Sequence, residues 1–148
     1  MNDLETKQHD LWQEVRKQLT ETKLPLKLRN NIPSGSYYDV KFGVPSAYLS
    51  LHYVEQENCA KVMVSLRNER GEKYFEHLLR EKEQIEGEIG ASLDWDPVEN
   101  AKYCCIVLWK KDVDLGISTT TADLAQWYVT WFENFYKALH PRLSIIPE

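Results

Sequence analysis

The sequence predicts an α+β fold, a mostly antiparallel sheet with helices packed on one face, and three observations carry that expectation. Three successive segments between residues 37 and 67 alternate apolar with polar residues, the period of half-buried strands. The Gln56-Glu57-Asn58 stretch between the second and third is short enough to join only antiparallel neighbours. Helical periodicity appears at the start, middle and end of the chain and not after every strand, so no parallel βαβ series is present. The predicted order is helix, three strands, helix, two strands, helix.

From Asp3 to about Thr22, Leu4, Leu11, Trp12, Val15 and Leu19 recur at spacings of three, four and seven, which makes an amphipathic helix. Pro25, Pro33, Asn30-Asn31 and Ser34-Gly35-Ser36 then break helical continuity, and residues 23–36 read as a loop made basic by Lys23, Lys27 and Arg29. The strands follow at Tyr37 to Phe42, Tyr48 to Glu55 and Ala60 to Arg67. After Gly71 the period changes, and Tyr74, Phe75, Leu78, Leu79, Ile85 and Ile89 form one helical stripe closed by Gly90. Residues 91–96 read as a short strand ended by Pro97, and the apolar run from Tyr103 to Trp109 as a central strand. Thr119, Thr120 and Asp123 supply capping chemistry for a last helix through Leu124, Trp127, Tyr128, Trp131, Phe132, Phe135 and Leu139, stopped before Pro141. The expected core is Trp12, Leu49, Leu51, Val62, Val64, Leu78, Ile106, Leu108, Trp127 and Trp131.

A chain of 148 residues, 43% hydrophobic and 28% charged, is long enough to bury a core without a disulfide or metal staple, and residues 1–148 are expected to form a single domain. Eighteen Lys and Arg against 23 Asp and Glu give a net charge of −5, which argues against attraction of the whole molecule to a nucleic-acid backbone and leaves room only for a local basic patch. No run approaches the roughly 18 apolar residues of a membrane span, and the N-terminus has neither a basic start nor an apolar signal core, so a cytoplasmic protein without membrane contact is expected.

No catalytic signature emerges. His9, His52, His77 and His140 are scattered over different elements, the three cysteines contain no C-x-x-C spacing, and no metal site or cofactor is expected. Cys104-Cys105 lies in an apolar strand whose alternation turns one thiol to each face, a packing role and not a nucleophile's. Glycine-rich phosphate loops are absent. The Glu-x-Lys steps a metal-dependent nuclease would place on adjoining strands occur only at Glu5-Thr6-Lys7 and Glu21-Thr22-Lys23, on or at the end of the first helix. One constellation remains. With Leu49, Leu51 and Tyr53 turned to the helices, Tyr48, Ser50 and His52 share the other face with Lys61, Met63, Ser65 and Arg67, joined by Tyr103, Cys105 and Trp109. Rings interleaved with Lys and Arg stack bases and contact phosphates, so the candidate contact residues are Tyr48, His52, Lys61, Arg67 and Trp109, with Lys27 and Arg29 as an electrostatic rim. The plainer reading of the same pattern is the half-polar outer surface of any one-sided antiparallel sheet.

With these segments in order, the sequence resembles the bacterial domain family DUF4268. The resemblance rests on Phe42-Gly43 followed by Tyr48-Leu49-Ser50-Leu51, on Phe75-Glu76-His77-Leu78-Leu79 running into Lys82-Glu83-Gln84-Ile85-Glu86 and Gly90, on Leu93-Asp94-Trp95, and on Trp131-Phe132-Glu133-Asn134-Phe135-Tyr136 with Pro141. It covers nearly the whole chain. Relatives follow nuclease-like domains in longer, defence-associated proteins, which implies an accessory or recognition role. The chain departs from the family at Gly43-Val44-Pro45-Ser46-Ala47, where a basic residue follows the glycine in relatives, so no charged site is carried over there and no catalytic residue is inherited. The expected function is a non-enzymatic binding or accessory module, associated with nucleic acid or a defence system; the alternatives are a protein-interaction or homodimerisation domain and a metal-dependent nuclease.

Overall fold

The computed structural model describes residues 1–97 and 103–147. Helix α1 (Asp3–Glu21) begins at a capping box in which the Asn2 side chain accepts the Glu5 N–H at 2.8 Å, so two otherwise orphaned N–H groups are satisfied and the start is fixed. Its buried residues, Gln8, Leu11, Trp12, Val15 and Leu19, form the expected stripe. The segment after it carries no regular structure, yet Leu24, Leu26, Leu28 and Ile32 pack against the core. It is tied to α1 where Gln8 Nε2 donates to the Ser34 carbonyl at 2.7 Å and Trp12 Nε1 to the Gly35 carbonyl at 2.8 Å.

Strands β1 (Tyr37–Lys41), β2 (Ala47–Val54), β3 (Cys59–Arg67), β4 (Asp94–Asp96) and β5 (Tyr103–Lys110) form one antiparallel sheet in the order β1-β2-β3-β5-β4. A single 3₁₀ turn, Glu55–Glu57, ends in Asn58 with left-handed φ and ψ of 50° and 47° and closes the β2–β3 hairpin; Asn tolerates that conformation better than most side chains. The run from Tyr103 is an interior strand paired on both sides, while the centre of the sheet falls to β3.

The middle helical stretch differs in two ways from its sequence reading. It begins at Asn68, ahead of Gly71, and it breaks at Glu81 (φ −109°, ψ 21°) into α2 (Asn68–Arg80) and α3 (Lys82–Ile89). The break lets the two halves serve different partners. Tyr74, Phe75 and Leu78 of α2 pack with β3 and β5, whereas α3 turns to α4 (Thr121–Ser144), where Arg142 pairs with Glu88 at 2.6 Å and Glu81 at 3.4 Å. Leu79, read as part of the stripe, is exposed as a result. Gly90, with φ +94°, ends α3 as expected, and the Glu86 carboxylate accepts the Leu93 N–H at 2.7 Å and Trp95 Nε1–H at 3.2 Å, which places β4.

Thr120 caps α4 as expected by accepting the Asp123 N–H at 3.1 Å, but the helix runs through Pro141 to Ser144 instead of stopping before it. Proline costs the turn one hydrogen bond. The last turn is held all the same, because Arg142 Nη1 donates to the Ala138 carbonyl at 2.7 Å, Ser144 Oγ to the His140 carbonyl at 2.8 Å, and Leu143 is buried.

Among the described residues the four helices lie on one side of the sheet. Tyr38, Val40, Leu49, Leu51, Tyr53, Val62, Val64, Leu66 and Ile106 share a core with Trp12, Leu78, Tyr128, Phe132 and Phe135, whereas the buried apolar strand residues of the other side, Cys59, Cys105 and Val107, stay outside that cluster. Seven of the ten expected core residues are fully buried; Leu108, Trp127 and Trp131 are partly exposed at its margin. No helix of the described residues is long and apolar enough to cross a membrane.

Candidate ligand-binding face of the sheet

The side of the sheet away from the helices is built in rows fixed by strand register. Tyr37, His52, Lys61 and Trp109 stand in one row across β1, β2, β3 and β5. The next holds Asp39, Ser50, Met63, Val107 and Asp94, and the third Lys41, Tyr48, Ser65, Cys105 and Asp96. Arg67 and Tyr103 close the face. The structure therefore brings Tyr48, His52, Lys61, Arg67 and Trp109 together on one surface.

Two pairs set its character. Lys61 Nζ sits over the Trp109 ring, 5.0 Å from its centroid, and the Arg67 guanidinium carbon sits 4.2 Å from the centroid of Tyr48. The second pair is diagonal, Arg67 lying two residues beyond Ser65, the direct partner of Tyr48. Arg67 Nε also approaches Ser65 Oγ at 3.4 Å. Arg67 thus reaches across Ser65, and Ser50 and Ser65 are only 2% and 3% exposed on a face that no helix of the described residues covers. Ser50 Oγ donates to the Asp39 carboxylate. At the margins the rings are part-exposed: Tyr37, Tyr103 and Trp109 are 48%, 41% and 43% exposed.

His52 is stacked on Tyr37, with centroids 5.6 Å apart and planes at 27°. Burial, then the Lys61 charge, hold its pKa down to about 4 against a weaker opposing pull from Asp39, so the ring is neutral at pH 7. Its Nε2 is buried without a hydrogen-bond partner among the described residues. Burial pushes the Cys105 thiol up to about 11, Asp96 adding to the effect, and Cys59 and Cys104 also lie above the usual thiol range, chiefly through burial. These are protonated, weakly nucleophilic thiols. As alternation implied, Cys104 is part of the helix-side core and Cys105 lies on the opposite face, level with Ser65. No group of three His, Cys, Asp or Glu side chains is placed to hold a metal ion among the described residues.

The two expected rim residues lie on the irregular segment after α1. Arg29 acts electrostatically on the Tyr38 phenol, whose side chain belongs to the helix-side core, and Lys27 is an exposed residue of the same loop with no described contact to the open face. That loop is anchored through Gln8 and Trp12 on the helix side. Sequence reasoning missed Tyr37, Asp39, Lys41, Asp94 and Asp96, although β1 carries its signal openly in the alternation Tyr37, Asp39, Lys41.

Fold and surface together define a one-sided α+β module whose distinguishing feature is a sheet face that, among the described residues, no helix covers and that carries rings and cations. The chain belongs to the family DUF4268, a domain of unknown function, whose model matches residues 7–143. No curated protein and no solved structure matches it.

Proposed function

We propose that this domain is a non-enzymatic binding module, cytoplasmic and accessory to a partner that carries the chemistry, and that its open sheet face takes single-stranded nucleic acid. The observation that carries the reading is the pairing of a cation with a ring at both ends of β3, Lys61 with Trp109 and Arg67 with Tyr48. Residues 61 and 67 are about 20 Å apart along an extended strand, room for about three or four nucleotides. An incoming base takes the ring face, and the displaced ammonium or guanidinium moves to the adjoining phosphate, so each pair supplies stacking and charge neutralisation in one place. Flat rings suit unpaired bases and have no access to the stacked interior of a duplex.

A second reading has its own support. Lys41, Lys61 and Arg67 are matched in number on the same face by Asp39, Asp94 and Asp96, a balance that also fits a protein surface or a second copy of this chain. Fluorescence anisotropy of labelled single- and double-stranded DNA and RNA, with Mg²⁺ present and strand integrity scored in the same tubes, separates these classes. Saturable binding of single strands without cleavage is expected. Cleavage lost on changing one carboxylate establishes a nuclease, and absence of binding together with concentration-dependent light scattering establishes self-association.

A further inference from the structure

Where β2 turns into β3 and β5 ends, the open face gives way to a cavity of about 440 Å³ lined by Glu57, Cys59, Trp109, Lys111 and Asp112. Its walls are tied together. The Asn58 carbonyl, at the end of the β2–β3 turn, accepts the Val113 N–H at 2.8 Å, so that turn and the segment after β5 are held in fixed relation. The Cys59 thiol is neutral and provides an apolar lining, and the part-exposed Trp109 ring provides a flat one. The Glu57 carboxylate stands beside Cys59, with Sγ directed at Oε2 from 3.8 Å. Lys111 lies on the lining and Lys61 over the Trp109 ring, so cations border the same space.

A flat ring, an apolar lining, the two carboxylates of Glu57 and Asp112 and bordering ammonium groups suit a planar heterocycle that bears adjacent N–H donors and an anionic tail. We propose that this cavity seats one base of the strand bound on the open face and that it selects guanine. Guanine alone among the common bases places two donors, N1–H and the N2 amino group, side by side where both oxygens of one carboxylate accept them. Adenine and cytosine offer one donor next to an acceptor, and the uracil N3–H is flanked by carbonyls that a carboxylate repels. Glu57 is assigned to the base because its oxygen already stands at the lining thiol, Trp109 supplies the stacking surface, and Lys61 and Lys111 face the phosphate.

The inference rests on the nucleic-acid reading of the sheet face, and its test keeps the two apart. Calorimetric titration of the full chain with GMP, AMP, CMP and UMP is expected to give GMP binding about fivefold or more tighter than UMP. In Glu57→Gln, an exposed and nearly isosteric change, that preference is expected to vanish while UMP binding stays the same; in Trp109→Ala all four weaken together. Equal affinities, no saturable response to GMP, or an undiminished preference in Glu57→Gln overturns the proposal. An oligouridylate of about ten nucleotides, run in the same series, tests the face itself. Its binding without guanine preference removes the cavity and keeps the face, whereas GMP selection with no oligonucleotide bound removes the strand and leaves a guanine-nucleotide pocket.

Discussion

His52 stores a pH dependence that the open face makes measurable. An imidazole in the unfolded chain takes up its proton near pH 6.5, and burial together with Lys61 delays this in the folded protein to about pH 4. Protonation therefore favours unfolding. Above pH 6.5 the residue contributes no slope, and stability declines as pH falls from 6.5 toward 4. Urea midpoints at pH 7.5 and pH 5 are expected to show the decline, and His52→Gln is expected to reduce it; an identical decline in the variant contradicts the assignment. Cys105 offers a second check at this scale. Its pKa of about 11 and its 5% exposure leave little thiolate within reach of reagent, so alkylation by iodoacetamide at pH 8 is expected only in denaturant.

Among the elements, two glycines make opposite cases. A Cβ on Gly71 would stand 2.3 Å from the Leu66 carbonyl carbon and 2.6 Å from its oxygen, both backbone atoms at the junction of β3 and α2. Gly71→Ala must push α2 off the strand and is expected to cost about 2 kcal/mol or more. A Cβ on Gly87 meets nothing within 4 Å inside α3, and Gly87→Ala is expected to stabilise by about 0.5–1 kcal/mol. Urea denaturation of both variants checks the pair, and a destabilised Gly87→Ala or a neutral Gly71→Ala contradicts this view of the helix contacts.

The elements also mark how far the chain is legible from its letters. Alternation located β2 and β3 because their short turn fixes the register, and once the register holds, Tyr48, His52, Lys61 and Arg67 must share a face. Trp109 joined them through the same alternation in β5. What periodicity could not reveal was the break at Glu81, because the apolar spacing from Leu78 to Ile85 is seven residues whether or not the axis bends between them. Pro141 misled for a different reason. The rule that proline ends a helix assumes that nothing else secures the following turn, and here the Arg142 and Ser144 side chains and the buried Leu143 do so. The path of the segment that carries Lys27 and Arg29 was not legible, because the route of an irregular segment is set by tertiary contacts, here the bonds from Gln8 and Trp12, and composition does not encode it.

For the molecule as a whole, the four helices of the described residues cover one side of the sheet and leave the other to rings and cations paired across the strands. With a net charge of −5, general attraction to polyanions is unfavourable, so the proposed affinity for nucleic acid has to come from a local group of cations, the role proposed for those of the open face. That makes salt the sharpest probe. The most direct measurement is the anisotropy-detected affinity for a single-stranded oligonucleotide across a salt series, for the parent chain, Arg67→Ala and Tyr48→Ala, each first shown to be folded by circular dichroism. The expected result is a linear fall of log affinity with log salt, a slope shallower by about 0.7 in Arg67→Ala for one lost phosphate contact, and weaker binding at unchanged slope in Tyr48→Ala. Folded variants that bind with the parent's affinity and the parent's slope would contradict the assignment of the open face as the ligand surface.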